Sequence, residues 1–505
     1  MIHRYGTGIR ATGAVIICLT LLAGCGAPSN SAEQSLPTAR ASAGTVTPDD
    51  QASTTSASRS SEPTVAPEPT ATPGEPQALR DDIQIRKVLE TGGGFVRLKL
   101  DPTTNTMYYM DNKVNIYRLD SQSSNTSNGT PVYTSADLAV EQSFVAAGMA
   151  FGPDGALYVL GNVSDDTTTH AVIRKGVADA SGKRTWTTFA STDPYPKANN
   201  QFDHLFNGMV VSPDGRYLYV NSGSRTDHGE VQNAKGAFPD TREVPLTSAI
   251  FRIPTDKDNQ ILPNDEAQLK EQGYLFADGT RNSYDLAFAP NGDLFAGDNG
   301  PDADYPDELN WLREGRHYGY PWRFGTMDNP QQFPDYDPTK DKRLPPEFFA
   351  VQNHTYANDP SFPAPPEGVT FTNPVANVGP SADIFTDADG NAYKASAQGE
   401  AAYSFTPHRS PLGIVFDTAN AVGGDMTGDG FIMSWGAAAG DLPDPGRDLL
   451  SIKLTKLDDS YQATVTQLAV GFNQPVDAAL LQNKLYVLDW GGKGTIWEVT
   501  LPAKS

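Results

Sequence analysis

Cysteine is nearly absent: 505 residues carry two, Cys18 and Cys25, both close to the start of the chain. A domain built from the remainder has no thiol, so disulfides and cysteine-bound metals are excluded. Basic charge is scarce as well. Lys and Arg total 38 against 61 Asp and Glu, a formal net charge of −23, which excludes nucleic acid as a natural partner because nothing would offset the phosphate backbone. Stretches of strong helical periodicity are few. The apolar run near the start, Ala14 to Leu22, is shorter than the roughly 20 residues of a membrane-spanning helix.

What the first residues do contain is Arg4 and Arg10, that apolar run, and then Leu22-Ala23-Gly24-Cys25. This is the three-part layout of a secretory signal. Small side chains followed at once by cysteine resemble the lipobox of bacterial lipoproteins, which implies a signal peptide over residues 1–24 and lipidation of Cys25. The expected location is extracytoplasmic, with a lipid anchor as the only link to the membrane. Residues 25–80 are built largely from Ser, Thr, Ala, Pro and Glu. Such a segment cannot offset its ordering entropy by burial, and the expectation is a solvated stalk reaching on the order of 40 Å.

From residue 81 to 505 one pattern recurs. "FGPDGALYVLG" from Phe151, "VSPDGRYLYVNSG" from Val211 and "FAPNGDLFAGDNG" from Phe288 each read as strand, Pro-Asp/Asn-Gly turn, strand. Proline presets φ and glycine supplies the positive φ of a tight turn, while alternating Leu, Tyr, Phe and Val make half-buried strands. Weaker copies start at Leu100, Gly423 and Leu480. Six units at about 70 residues each predict an all-β fold, a six-bladed β-propeller, in preference to a pair of sandwiches. The long interval from Pro301 to Val422, rich in Pro, Asn and Asp, predicts loops that wall a pocket on one face.

The stretch Gly279–Trp322 orders Arg281-Asn282, Gly300-Pro301, Asp307-Glu308-Leu309-Asn310 and Tyr318-Gly319-Tyr320-Pro321. In that order these resemble the glucose/sorbosone dehydrogenase family, propellers that bind pyrroloquinoline quinone and Ca²⁺. "DHLFNGMVVSPDG" from Asp203, "HRSPLGIVF" from His408 and the last unit from Asn473 extend the likeness over nearly the whole domain.

The resemblance implies oxidation of an aldose or related polyol, with electrons passing on to an external acceptor. Such chemistry needs a base for the hydroxyl proton and positive charge where negative charge develops. His204 stands where the family has its base, with Asp203 beside it as a substrate contact. Arg281 would stabilise the reduced cofactor, with Asn282, Asn299 and Arg409 as further cofactor contacts. The carbonyls of Gly300 and Pro301 would seat Ca²⁺, which takes hard oxygen ligands; Glu308, Tyr318 and Asp328 fall where relatives place a second, structural Ca²⁺.

Departures accompany the likeness. "HRSPLGIVF" has no lysine where some relatives hold the quinone carboxylates, Gln474 replaces a frequent arginine, and Ser224 stands where aspartate is common. The acidic loops at Asp387 and Asp425 lack the glutamate that closes an EF-hand and read as hairpin turns, and Trp435 and Trp490 read as packing between blades. Two other functions fit the same pattern: a surface propeller that binds carbohydrate or protein without redox chemistry, and a Ca²⁺-dependent lactonase-type propeller.

Overall fold

A computed structural model describes residues 65–120, 128–198, 200–437 and 440–504. The lipobox cysteine, Cys25, and the signal peptide lie outside them.

Six sheets, antiparallel except for parallel outer additions at Gln260–Leu262 in the second and Ala376–Pro380 in the fifth, stand radially as the blades of a propeller. Their innermost strands are Phe95–Asp101, Phe144–Phe151, Phe206–Val211, Asp285–Phe288, Pro411–Phe416 and Pro475–Leu481. Each touches the next in cyclic order, and the sixth touches the first. All six turn motifs fall between the innermost strand of a blade and its second strand. The Pro-Asp/Asn-Gly turns of the second, third and fourth blades and the weaker copies in the other three therefore mark one structural position in each unit.

The ring closes through mixed strands in the sixth blade. Gln84–Glu90, from the start of the domain, pairs antiparallel with Thr495–Thr500 at its end. Closure of this kind removes an exposed sheet edge. Between blades lie apolar clusters, and Trp435 and Trp490, 5.4 Å apart, sit within or against one of them. At the centre, Lys99 of the first blade bridges Asp285 of the fourth and Asp477 of the sixth, at 2.8 Å each.

The domain starts earlier than its composition implied. Glu68 is buried, its N–H donates to the Pro443 carbonyl at 2.9 Å, and its carboxylate pairs with Lys394. Gln77–Ala78 then add to the edge of the fifth blade opposite Val470 and Ala469. Main-chain pairing needs no apolar side chain, so a Pro/Thr/Glu-rich stretch conceals it. Between the fourth and fifth blades the chain forms the expected loops, with short hairpins at Arg323–Phe324/Met327–Asp328 and Ile384–Thr386/Ala392–Lys394. A cluster of Phe202, Tyr305, Tyr320, Phe324 and Tyr356 packs these loops against the third and fourth blades.

Candidate active site

His204 immediately precedes the first strand of the third blade, turned by Leu205 in the left-handed region (φ 60°). The second strand of that blade ends at Ser222, and the next two residues run between His204 and the Arg281-Asn282 turn. His204 N–H donates to the Ser224 carbonyl at 2.9 Å, and Ser224 N–H donates to the Arg281 carbonyl at 2.6 Å. Gly223 is what permits this approach. A Cβ there would lie 2.5 Å from His204 Cβ and 3.0 Å from Asn282 Oδ1.

The imidazole Nδ1 lies 3.1 Å from the Ser224 carbonyl oxygen. A carbonyl only accepts, so Nδ1 carries the proton and Nε2 keeps the lone pair. Burial, and then the charge of Arg281, lower the His204 pKa to about 3. The ring is neutral at pH 7 and a weak base at rest. Ser224 supplies no charge to raise it, which is the physical consequence of a serine where an aspartate is common.

Arg281 is fixed rather than free. Its Nη2 donates to Asp227 Oδ1 and its Nε to the Asp227 carbonyl, both at 2.7 Å, while Nη1 reaches the Asn299 carbonyl at 3.3 Å. Asp227 Oδ2 in turn meets His228 Nδ1 at 2.7 Å, and His228 stacks on Tyr356 at 3.7 Å. Burial opposes the charge of Asp227, but Arg281 and His228 outweigh it and bring its pKa down to about 2. This second layer of Asp227, His228 and Tyr356 was missed in the sequence; the adjacent Asp-His before a glycine was its only local signal.

Asn282 and Asn299 come together, Nδ2 to Oδ1 at 3.2 Å, and Asn282 Oδ1 accepts from Asn207 at 2.9 Å. Gly300 N–H donates to Asp307 at 2.6 Å, and the Pro301 carbonyl accepts from Ala303 N–H at 2.7 Å. Asp203, by contrast, accepts from Ala198 N–H at 2.9 Å, and burial raises its pKa to about 7. No hydrogen bond connects its carboxylate to His204 or Arg281 among the described residues.

Glu308 borders a small hollow, about 10 Å³, that it shares with Asp298, Gly300 and Arg323. Burial, and then Asp298, raise the Glu308 pKa to about 8. Both carboxylates already accept hydrogen bonds, Asp298 from the N–H groups of Arg281 and Asn282, Glu308 from Gly325 N–H and the Asn310 amide, and Arg281 lines the same hollow. Tyr318 and Asp328 do not line it: the Tyr318 hydroxyl is engaged by Trp311 and Arg313, and Asp328 is exposed on a hairpin. Among the described residues no group of three or more His, Asp or Glu is arranged to hold a metal.

Arg409 departs from its expected role. Its two terminal nitrogens pair with Asp444 and Asp448, all three side chains being buried. A guanidinium this deep must be compensated from within the fold, and the fifth blade supplies both carboxylates.

Comparison with known proteins covers most of this site. Residues 145–351 match the Glucose / Sorbosone dehydrogenase family. The matched span includes His204, Arg281, Asn282, Asn299 and Gly300, and ends before Arg409. Quinoprotein glucose dehydrogenase B of Acinetobacter calcoaceticus is 26% identical over 207 residues, which is 36% of this chain and 41% of that protein. The alignment thus spans well under two thirds of the relative. Among solved structures, the holo pyranose dehydrogenase PQQ domain of Coprinopsis cinerea superposes with a TM-score of 0.52 at 14% identity, over 85% of this chain and 98% of that one. The PQQ-bound aldose sugar dehydrogenase of Streptomyces coelicolor gives 0.47 at 16% identity, over 85% and 99%. The first of these structures supports the six-bladed fold; the family match carries the resemblance of the site.

Proposed function

We propose that this chain is an extracytoplasmic oxidoreductase, tethered through Cys25, that oxidises an aldose or related polyol with pyrroloquinoline quinone and Ca²⁺ and hands the electrons to an external acceptor. The observation that carries this reading is the meeting of His204 with Arg281 and Asn282 across Gly223. A neutral imidazole stands in the electrostatic reach of a fixed positive charge, which is the pairing that removal of a proton and a hydride requires.

The donor chemistry fits the cofactor at one end. A guanidinium and two carboxamides, Arg281, Asn282 and Asn299, suit the oxygens of an ortho-quinone, and the Gly300 and Pro301 carbonyls are hard oxygen donors for Ca²⁺. When bound, the quinone supplies the two-electron acceptor that no side chain can provide. His204 takes the hydroxyl proton at Nε2 as the carbon–hydrogen bond weakens, because its proton affinity rises with the negative charge forming next to it. Arg281, held in place by Asp227, stabilises that charge without having to reorient.

Reconstitution with quinone, Ca²⁺ and an artificial electron acceptor tests the proposal. Sugar-dependent reduction is expected for at least one member of a broad aldose panel, and His204→Ala should abolish it while the far-UV circular dichroism is unchanged. No turnover across the panel rejects the activity. One observation favours a second reading, a carbohydrate-binding propeller without redox chemistry: Arg409 is locked to Asp444 and Asp448 and offers no anchor for a cofactor carboxylate. A quinone titration with no saturable absorbance change would select that reading.

A further inference from the structure

A cavity of about 750 Å³ opens on the face of the propeller opposite the candidate site. His204 and Asn282 stand just before the innermost strands of the third and fourth blades, whereas the cavity is lined by the far ends of all six innermost strands and by turns that follow them. Pro102, Pro153, Pro213 and Pro290 stand exposed at its mouth, one from each of the first four blades. The prolines of these turns thus border one shared space. Phe151, Met209, Leu286, Phe288 and Leu480 are among the residues of its walls.

In a chain of net charge −23, Lys99 is the one charged residue among the described residues that line this cavity. The carboxylates of the turns are held outside it: Asp154 accepts from Ala156 N–H in its own turn, Asp214 pairs with Arg216, and Asp293 with Lys456. Asp285 and Asp477, which Lys99 bridges, immediately precede the wall residues Leu286 and Ala478, so the ion triple closes the inner end. An ammonium has three N–H donors. Two go to Asp285 and Asp477, and the third has no partner among the described residues. The Lys99 side chain remains 17% exposed, and the cavity is the space it lines.

Walls and floor together select the occupant. Small-molecule sites are cavities of about 300–1,000 Å³ with apolar walls and a few placed polar groups. An anion gains little from Lys99, which two carboxylates already compensate, and it would give up its hydration to apolar walls. A cation would meet an ammonium. An uncharged oxygen acceptor meets the remaining N–H alone, and a carbonyl does so without a hydrogen of its own to place against the walls. We infer that this cavity binds a neutral, largely apolar ring compound whose carbonyl oxygen accepts a hydrogen bond from Lys99. The site is separate from the one assigned to sugar oxidation and does not rest on that reading.

1-Tetralone and tetralin share one ring system and differ by a single carbonyl, so calorimetry of both on the full-length protein reads the acceptor directly; 2-naphthoate adds the charged case. The expected result is one tetralone per chain, with tetralin and 2-naphthoate each bound about tenfold more weakly, the scale of one hydrogen bond to a charged donor. Ala419→Trp narrows the mouth from an exposed lining position and should weaken tetralone about tenfold by overfilling the space, with the melting temperature unchanged. Lys99→Met should bring tetralone down to the affinity of tetralin. No tetralone binding would mean that the cavity holds only water. Equal affinity for tetralone and tetralin, or for tetralone and 2-naphthoate, would mean that Lys99 reads no neutral acceptor. Tetralone binding untouched by Ala419→Trp would place the ketone elsewhere. Each of these overturns the inference, as does a folded Lys99→Met that keeps the preference for tetralone. Should Lys99→Met fail to fold, the wild-type comparison and Ala419→Trp still decide. Sugar oxidation is read in none of these measurements, so their outcome leaves that proposal standing or falling on its own.

Discussion

Gly223→Ala tests the central geometry with a single methyl group. The backbone at this position does not need positive φ, so the substitution acts through space alone. The new carbon would stand 2.5 Å from His204 Cβ, whereas two unbonded carbons settle at about 3.5–4.0 Å, so the imidazole or the strand must yield by roughly 1 Å. Strand movement is resisted on both sides, by the bond from Ser224 N–H to the Arg281 carbonyl and by the bond from His204 N–H to the Ser224 carbonyl. Overpacking of this kind costs about 1–3 kcal/mol of stability. A 1 Å displacement of a catalytic group costs on the order of 100-fold in rate. The assay is steady-state sugar oxidation by the reconstituted chain, with thermal melts alongside. The expected signature is a fall in kcat much larger than the stability loss accounts for, since a destabilised but folded enzyme keeps its turnover number. Full activity with an unchanged melting temperature would show that His204 and Asn282 do not converge across Gly223, and the case for a joint site would end there.

Asp227→Asn should loosen Arg281 and lower stability by about 3 kcal/mol, the usual scale for removing one partner of a buried pair. Because the folded Asp227 pKa is depressed to about 2, its contribution is complete above about pH 4 and is lost as the pH falls towards 2; melts against pH should therefore show an acid limb in the wild type that is weaker in the variant. A chain starting at residue 65 should melt like the full-length protein, whereas one starting at residue 80 loses the Glu68, Gly74 and Leu79 N–H bonds and the Glu68–Lys394 pair, for a loss of roughly 2–4 kcal/mol in denaturant titrations. Equal stability of the two truncations would return residues 65–79 to the stalk.

The extent to which the sequence announced this structure follows from the range of the interactions involved. The blades were legible because each inner hairpin is a local strand–turn–strand unit written within about ten residues and repeated six times, three of them with a Pro-Asp/Asn-Gly turn. His204, Arg281, Asn282, Asn299 and Gly300 were legible as a set because the third and fourth blades follow one another in the chain, so residues at their strand ends meet by topology alone. Illegible were the partners that discipline those residues. Arg281 finds Asp227 across 54 positions, Arg409 finds Asp444 and Asp448 across 35 and 39, and His408 finds Asp304 across 104. No local pattern distinguishes an arginine waiting for a ligand from one already neutralised by aspartates of its own blade. That difference matters for function. A buried guanidinium paired at both terminal nitrogens with carboxylates is a structural element, whereas Arg281, hydrogen-bonded to an Asp227 carboxylate that also meets His228, lowers the pKa of His204. The same motif residue type thus serves opposite ends in neighbouring blades: both terminal nitrogens of Arg409 meet carboxylates, whereas Arg281 donates to the carbonyls of Asp227 and Asn299 as well as to the Asp227 carboxylate.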